Sequence, residues 1–199
     1  MIPKQGEKGR FIMNITSAIM QRRTIRRFLQ KPIDKTTLLE LINLSRLYAS
    51  GGNLQPIRYA AVIKQALLND IFDTLRWAAY LPGFEIHDDQ RPTAYVILTA
   101  DAQSKKNCQF DLGAAATTLM LAAEEQGLGT CCLASFNRAK LIDILNLPEN
   151  QEPLLVIALG YPAQQSKAVD CTDDIKYYEN EEGCLCVPKR RLDDLLTLY

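Results

Sequence analysis

Between Thr93 and Ala100 the chain reads Thr-Ala-Tyr-Val-Ile-Leu-Thr-Ala, a strand-length run with no charge in it. Successive side chains of a strand point to opposite faces, so such a run must be covered on both sides. Helices on both faces of a sheet supply that cover, and helical patterns flank the run. Asp34 caps a stripe of Leu38, Leu41, Ile42 and Ser45 that stops at Ser50-Gly51-Gly52. Leu68, Phe72, Leu75 and Ala79 predict a helix over Leu67 to Ala79. Asn107 to Gln126 reads as the longest helix, rich in small residues and closed by Gly127. Further helices are expected from Ile15 to Arg23, from Asn137 to Leu145 and from Arg191 to Leu198. Other strands are expected at Tyr59–Ile63, Thr130–Ala134 and Leu154–Leu159. The class is therefore α/β or α+β, with one central sheet and helices on its faces.

A chain of 199 residues fits one domain. Residues 161–187 read as polar and irregular, unusually long for a connection inside a compact domain. That arm is expected either to be functional or to pack on another subunit. Lys+Arg and Asp+Glu number 23 each. This balance argues against a nucleic-acid partner and against an anionic membrane surface. No segment has the length of apolar sequence that spans a bilayer. Asn14 and Thr16 break the short apolar run after Arg10, so no signal peptide is expected and the six cysteines are read as reduced thiols in a cytoplasmic protein. Cys171 with Cys184 and Cys186 lacks a second pair at zinc spacing, so no metal is expected. His87 is the one histidine, which removes mechanisms needing two imidazoles.

No dinucleotide-binding glycine fingerprint, P-loop or nucleophile elbow is present. Positive charge gathers instead in Arg22-Arg23-Thr24-Ile25-Arg26-Arg27 and in Lys189-Arg190-Arg191. Cations suit a helix C-terminus, but two such clusters could also converge on one phosphate, to which arginine offers a planar fork of donors. In Ser50-Gly51-Gly52-Asn53-Leu54-Gln55-Pro56 the paired glycines let backbone approach a flat ligand, and two amides stand two residues apart.

These segments resemble a known family. Arg22 to Phe28 is similar to the "R-R-S-x-R-x-F" opening of the nitroreductase-like flavoproteins, and Ser50 to Pro56 to their "P-S-x-x-N-x-Q-P". Asp111-Leu112-Gly113-Ala114, Gly127-Leu128-Gly129-Thr130-Cys131, Leu159-Gly160-Tyr161-Pro162 and Lys189-x-Arg191 follow in order. One departure is Ala49-Ser50 where the family often has Pro-Ser. The resemblance implies an α+β sandwich with a central mixed sheet, FMN as cofactor, NADH or NADPH as co-substrate, and an intertwined homodimer with the flavin at its interface. The arm, 161–199, is then expected on the partner subunit. By that resemblance Arg22, Arg23, Thr24 and Arg26 hold the phosphate and ring edge, and Lys189 and Arg191 add phosphate contacts. Ser50, Gly51, Asn53 and Gln55 belong to the loop laid against the partner's flavin. Ala134, Ser135 and Phe136 bring backbone N–H groups to flavin N5. No protein acid or base is required, because the cofactor carries the hydride. The activity implied is reduction of nitro compounds, quinones or related small electrophiles in a ping-pong cycle. Two alternatives are a reductive dehalogenase or other specialised branch, with Trp77 to Pro92 as its lid, and a flavin-binding redox sensor using Cys131-Cys132.

Overall fold

The computed structural model describes residues 14–101, 103, 104 and 108–199, so the expectations for residues 1–12 and for a helix start at Asn107 lie outside the described residues. In chain order the elements are α1 (Ile15–Gln21), β1 (Phe28–Leu29), α2 (Lys35–Ser45), β2 (Ile57–Val62), α3 (Gln65–Phe72), β3 (Ala94–Asp101), α4 (Gln109–Glu125) and β4 (Gly129–Leu133). They continue with α5 (Arg138–Leu145), β5 (Gln151–Pro162), β6 (Ser166–Asp170), β7 (Tyr178–Glu179) and β8 (Leu185–Lys189).

β3 lies between β2 and β5, both antiparallel to it, and β4 pairs antiparallel with the opposite edge of β5, over residues 156–160. β1 adds to the last two residues of β5, Phe28 opposite Pro162. A lone parallel bridge joins Thr24 to Thr130 beyond β4. Residues Ala94 to Ala100 are all buried, as the uncharged run requires. Ala94, Val96, Leu98 and Ala100 face Leu41, Ala115 and Leu119 of α2 and α4. Tyr95 and Ile97 face Leu68 and Ile71 of α3 and Leu141 of α5. The sheet is thus sandwiched between two helical layers.

Small residues of α4 let α2 come close. Ser45 is fully buried there, and its hydroxyl donates to the Ala115 carbonyl at 2.9 Å. Asp34 caps α2 by accepting from the Thr37 N–H at 2.8 Å. Gly127, with φ +71°, follows the C-cap of α4.

Four expectations are corrected. α3 ends at Phe72 rather than Ala79, because Thr74 to Arg76 are drawn into pairing with Ser135 to Asn137. β5 is twice the expected strand, since its ends find separate partners in β3 and β1. The arm is ordered: β6 pairs parallel and β7 antiparallel with β8, the hydrogen bonds replacing the periodicity the sequence lacks. The terminal helix is one 3-10 turn, Leu192–Asp194.

Candidate active site

The basic segment after α1 crosses the ends of β4 and β5. Its backbone enters by the Thr24 bridge and by the Ile25 N–H, which donates to the Thr130 carbonyl at 2.9 Å. Side chains of Ile25 and Phe28 then sit on bare sheet. A Cβ on Gly129 would lie 2.8 Å from Ile25 Cβ, and one on Gly160 would lie 2.7 Å from Phe28 Cδ1. Real side chains do not approach that closely, so both glycines are needed for the segment to lie where it does.

Arg22 closes α1, its N–H donating to the Ala18 carbonyl. Arg23 spends two donors locally, on the carbonyls of Arg22 at 2.5 Å and Met20 at 2.7 Å, and keeps a buried Nε without a partner. Burial first, then the adjacent Arg22, pulls the Arg23 guanidinium below its usual range. Burial pushes the Glu124 carboxyl upward, against the pull of Arg22 and Arg23. Arg26 is 8% exposed, and its Nε and Nη1 are buried with no hydrogen-bond partner among the described residues. Thr130 Oγ1 is buried and unpartnered as well. Unsatisfied buried donors are costly, so three in one segment mark a place built for acceptors.

Ala134 and Ser135 follow β4 and are exposed. The Ser135 carbonyl accepts from the Arg76 N–H at 3.0 Å, beside a cleft of about 440 Å³ lined by Thr74, Arg76, Ser135 and Asn137. Arg76 was not singled out from sequence; it sits inside a helical pattern that only the pairing with Ser135 interrupts. Gln164 and Tyr177 were also missed. Gln164 Oε1 accepts from the N–H groups of Arg26 at 2.9 Å and Arg27 at 3.3 Å, and Glu179 pairs with Arg27 at 3.3 Å. No local pattern in a polar arm announces such contacts.

Lys189 and Arg191 are exposed, and their side chains make no hydrogen bond or ion pair among the described residues. The structure therefore does not join the two cationic clusters, although Lys189 ends β8 of the arm that grips Arg27.

The loop from Ser50 to Pro56 is held in an uncommon form. Asn53 and Gln55 have φ of 55° and 48°. Ser50 Oγ accepts from the Gln55 N–H at 2.9 Å, and Gln55 Nε2 donates to Asn53 Oδ1 at 3.0 Å. Left-handed non-glycine residues persist only where the surroundings impose them, often at functional sites. Gly51 and Leu54 border a cleft that also meets Asp111. This loop leads into Ile57, which pairs with Ala100 and, through it, with Glu152. Gly160, beneath the basic segment, lies eight residues further along β5. At about 3.3 Å per residue the loop and the basic segment are roughly 25 Å apart, at opposite ends of the sheet. One chain does not bring them together.

Cys131 faces the core, and burial pushes its thiol up to about 12. Among the described residues no three His, Cys, Asp or Glu side chains are grouped to hold a metal ion, and no helix is long and apolar enough to cross a membrane.

Comparison with known proteins gives concordant findings. The model of the nitroreductase family matches residues 19–161. A 4-nitrobenzoate reductase of Pseudomonas putida is 29% identical over 190 residues, covering 73% of this chain and 84% of that protein. An NADH dehydrogenase of Thermus thermophilus is 24% identical over 190 residues, covering 77% of this chain and 89% of that one. In fold, the chain superposes on an FMN and NADPH-dependent nitroreductase from Sphigopyxis sp. strain HMH with a TM-score of 0.70 and 18% identity, over 94% of this chain and 99% of that one.

Proposed function

The chain belongs to the nitroreductase family and is an oxidoreductase, and from that premise we propose that it is an FMN-dependent enzyme. It takes hydride from NADH or NADPH and passes reducing equivalents to a nitro compound, quinone or similar electrophile in a ping-pong cycle. The observation that carries this reading is the buried, unpartnered guanidinium edge of Arg26, with Arg23 Nε unpartnered in the same segment and Thr130 Oγ1 unpartnered on the adjoining strand β4. FMN offers what those donors lack: a phosphate and a planar ring with carbonyl acceptors. Arg22, Arg23 and Thr24 would hold the phosphate side, with Lys189 and Arg191, and Arg26 the ring edge. Ala134 and Ser135 would bring backbone N–H groups to the reacting edge. Bound FMN would supply a two-electron acceptor and donor. The protein's part is to bind, orient and stabilise charge, and a cation at the ring edge favours the anionic reduced form.

The site is completed by a second copy of the chain. Ser50, Gly51, Asn53 and Gln55 lie at the far end of the sheet from the basic segment of their own chain, which supports contact with a partner's site. Two apolar surfaces support the same assembly. Ile15, Leu44, Leu47 and Leu121 line a groove of about 510 Å³ over α1, α2 and α4. Leu192, Leu195, Leu198 and Tyr199 of the tail are exposed on their own chain. The arm keeps one face on Arg26 and Arg27 and offers Ile175 and Tyr178 outward to the partner.

Purified protein should be yellow, should release FMN on heat denaturation, and should bleach when NADH or NADPH is added without oxygen. Release of FAD, or no flavin uptake on reconstitution, would sink the reading. The sensor alternative finds no support at Cys131, whose thiol is buried.

A further inference from the structure

The geometry points to Tyr177 as a positioning residue for Arg26, an inference that rests on the flavin site argued above. Tyr177 lies in the arm, between β6 and β7. Its ring lies over the guanidinium carbon of Arg26, 4.5 Å from carbon to ring centroid. Arg26 is 8% exposed, and no acidic side chain pairs with it among the described residues. A buried guanidinium without a carboxylate needs another source of negative potential, and the face of an aromatic ring is one. The ring also leaves the guanidinium's in-plane donors unspent. Nε and Nη1 have no partner among the described residues, so they stay free for acceptors lying in the guanidinium plane.

Tyr177 is itself held. It meets the Tyr80 ring at 5.1 Å between centroids, and its hydroxyl accepts from the Tyr80 N–H at 3.4 Å. Gln164, at the root of the arm, fixes the Arg26 backbone. Root and ring of the arm thus grip one arginine from two sides, within one chain. The arm acts in cis on the flavin site through Tyr177, whatever its outer face does on the partner. A carboxylate in place of the ring would claim the same donors and neutralise the charge; the ring does neither.

The test is a double-mutant cycle of Tyr177→Leu and Arg26→Leu, with Tyr177→Phe as the conservative variant. Three quantities are read: melting temperature of the flavin-free protein, FMN affinity by fluorescence quenching, and midpoint potential of bound flavin. Tyr177→Phe should match the wild type in affinity and potential. Tyr177→Leu should weaken FMN about tenfold and shift the potential more negative, because the cation beside the reduced ring is less well placed. In the Arg26→Leu background the same change should have almost no further effect on affinity. Tyr177→Met takes the place of Tyr177→Leu if the latter does not fold. Unchanged affinity and potential in Tyr177→Leu, or a fully additive cycle, would overturn the proposal. Coupling in the flavin-free melt without coupling in affinity would also overturn it, leaving Tyr177 a structural contact only. A wild type that takes up no FMN would instead bring down the flavin reading and this inference with it.

Discussion

Gly129 and Gly160 sit opposite each other across β4 and β5, and together they leave the bare patch of sheet on which Ile25 and Phe28 lie. The basic segment is therefore located by two absent side chains. Adding a Cβ at Gly160 forces it to 2.7 Å from Phe28, which is fully buried and has nowhere to retreat. Gly160→Ala should destabilise the fold by roughly 1–3 kcal/mol, as overpacking does. Because it lifts the segment carrying Arg26, it should also weaken FMN binding. Urea unfolding and flavin titration on the same preparation check both, and intact stability with intact affinity would refute the close fit.

Arg22 is predicted to contribute a charged hydrogen bond to the phosphate. Arg22→Ala should weaken FMN by about 1.5–3 kcal/mol, between tenfold and a hundredfold or more. Fluorescence titration measures it; the same affinity as wild type would make Arg22 a solvated helix end.

Association and flavin binding should be linked. A site shared between copies makes FMN stabilise the dimer by mass action. Leu47→Asp places a charge on the α1–α2–α4 groove, where Leu47 is 65% exposed in the single chain. It should shift sedimentation toward monomer and lower FMN occupancy together. A monomer with full flavin occupancy would separate the two and undo the shared site.

Glu124 gives a pH signature. Burial raises its folded-state pKa, so its ionised form opposes folding once the pH exceeds that raised value. Glu124→Gln should be more stable than wild type at pH 7 and should lose the advantage as the pH falls below the ordinary Glu value of about 4.3. Unfolding midpoints at pH 4 and pH 7 provide the comparison, and an advantage that grows on acidification would contradict the assigned cause.

Cys131 should be inert in the native protein. Burial pushes its thiol up to about 12, so the thiol rather than the reactive thiolate is the form present near neutral pH. Iodoacetamide followed by mass spectrometry should leave Cys131 unmodified until the protein is unfolded. Cys132 points to the opposite face of β4, as successive strand residues do. Rapid native modification of Cys131 would revive the sensor reading.

Much of this molecule was legible in the chain itself, wherever the signal was local. The uncharged run at Ala94–Ala100 required cover on both faces and has it. Asp34, Asn137 and Gly127 mark helix ends because capping is satisfied within a few residues. The order of the basic segment, the Ser50–Pro56 loop and the late Lys189-x-Arg191 pointed to a family. What tertiary structure decided was everything resting on distant partners. α3 stops at Phe72 because Ser135 pairs with Arg76, 59 residues later, and no propensity within the helix foretells that. The arm forms strands because β6, β7 and β8 complete one another's backbone hydrogen bonds. Arg26 is left with unspent donors because Gln164 and Tyr177, more than 130 residues away, hold its backbone and its face while offering no acceptor in its plane. Periodicity and capping are short-range and can be read in order; desolvation and pairing depend on which surfaces meet, and only the folded chain specifies that.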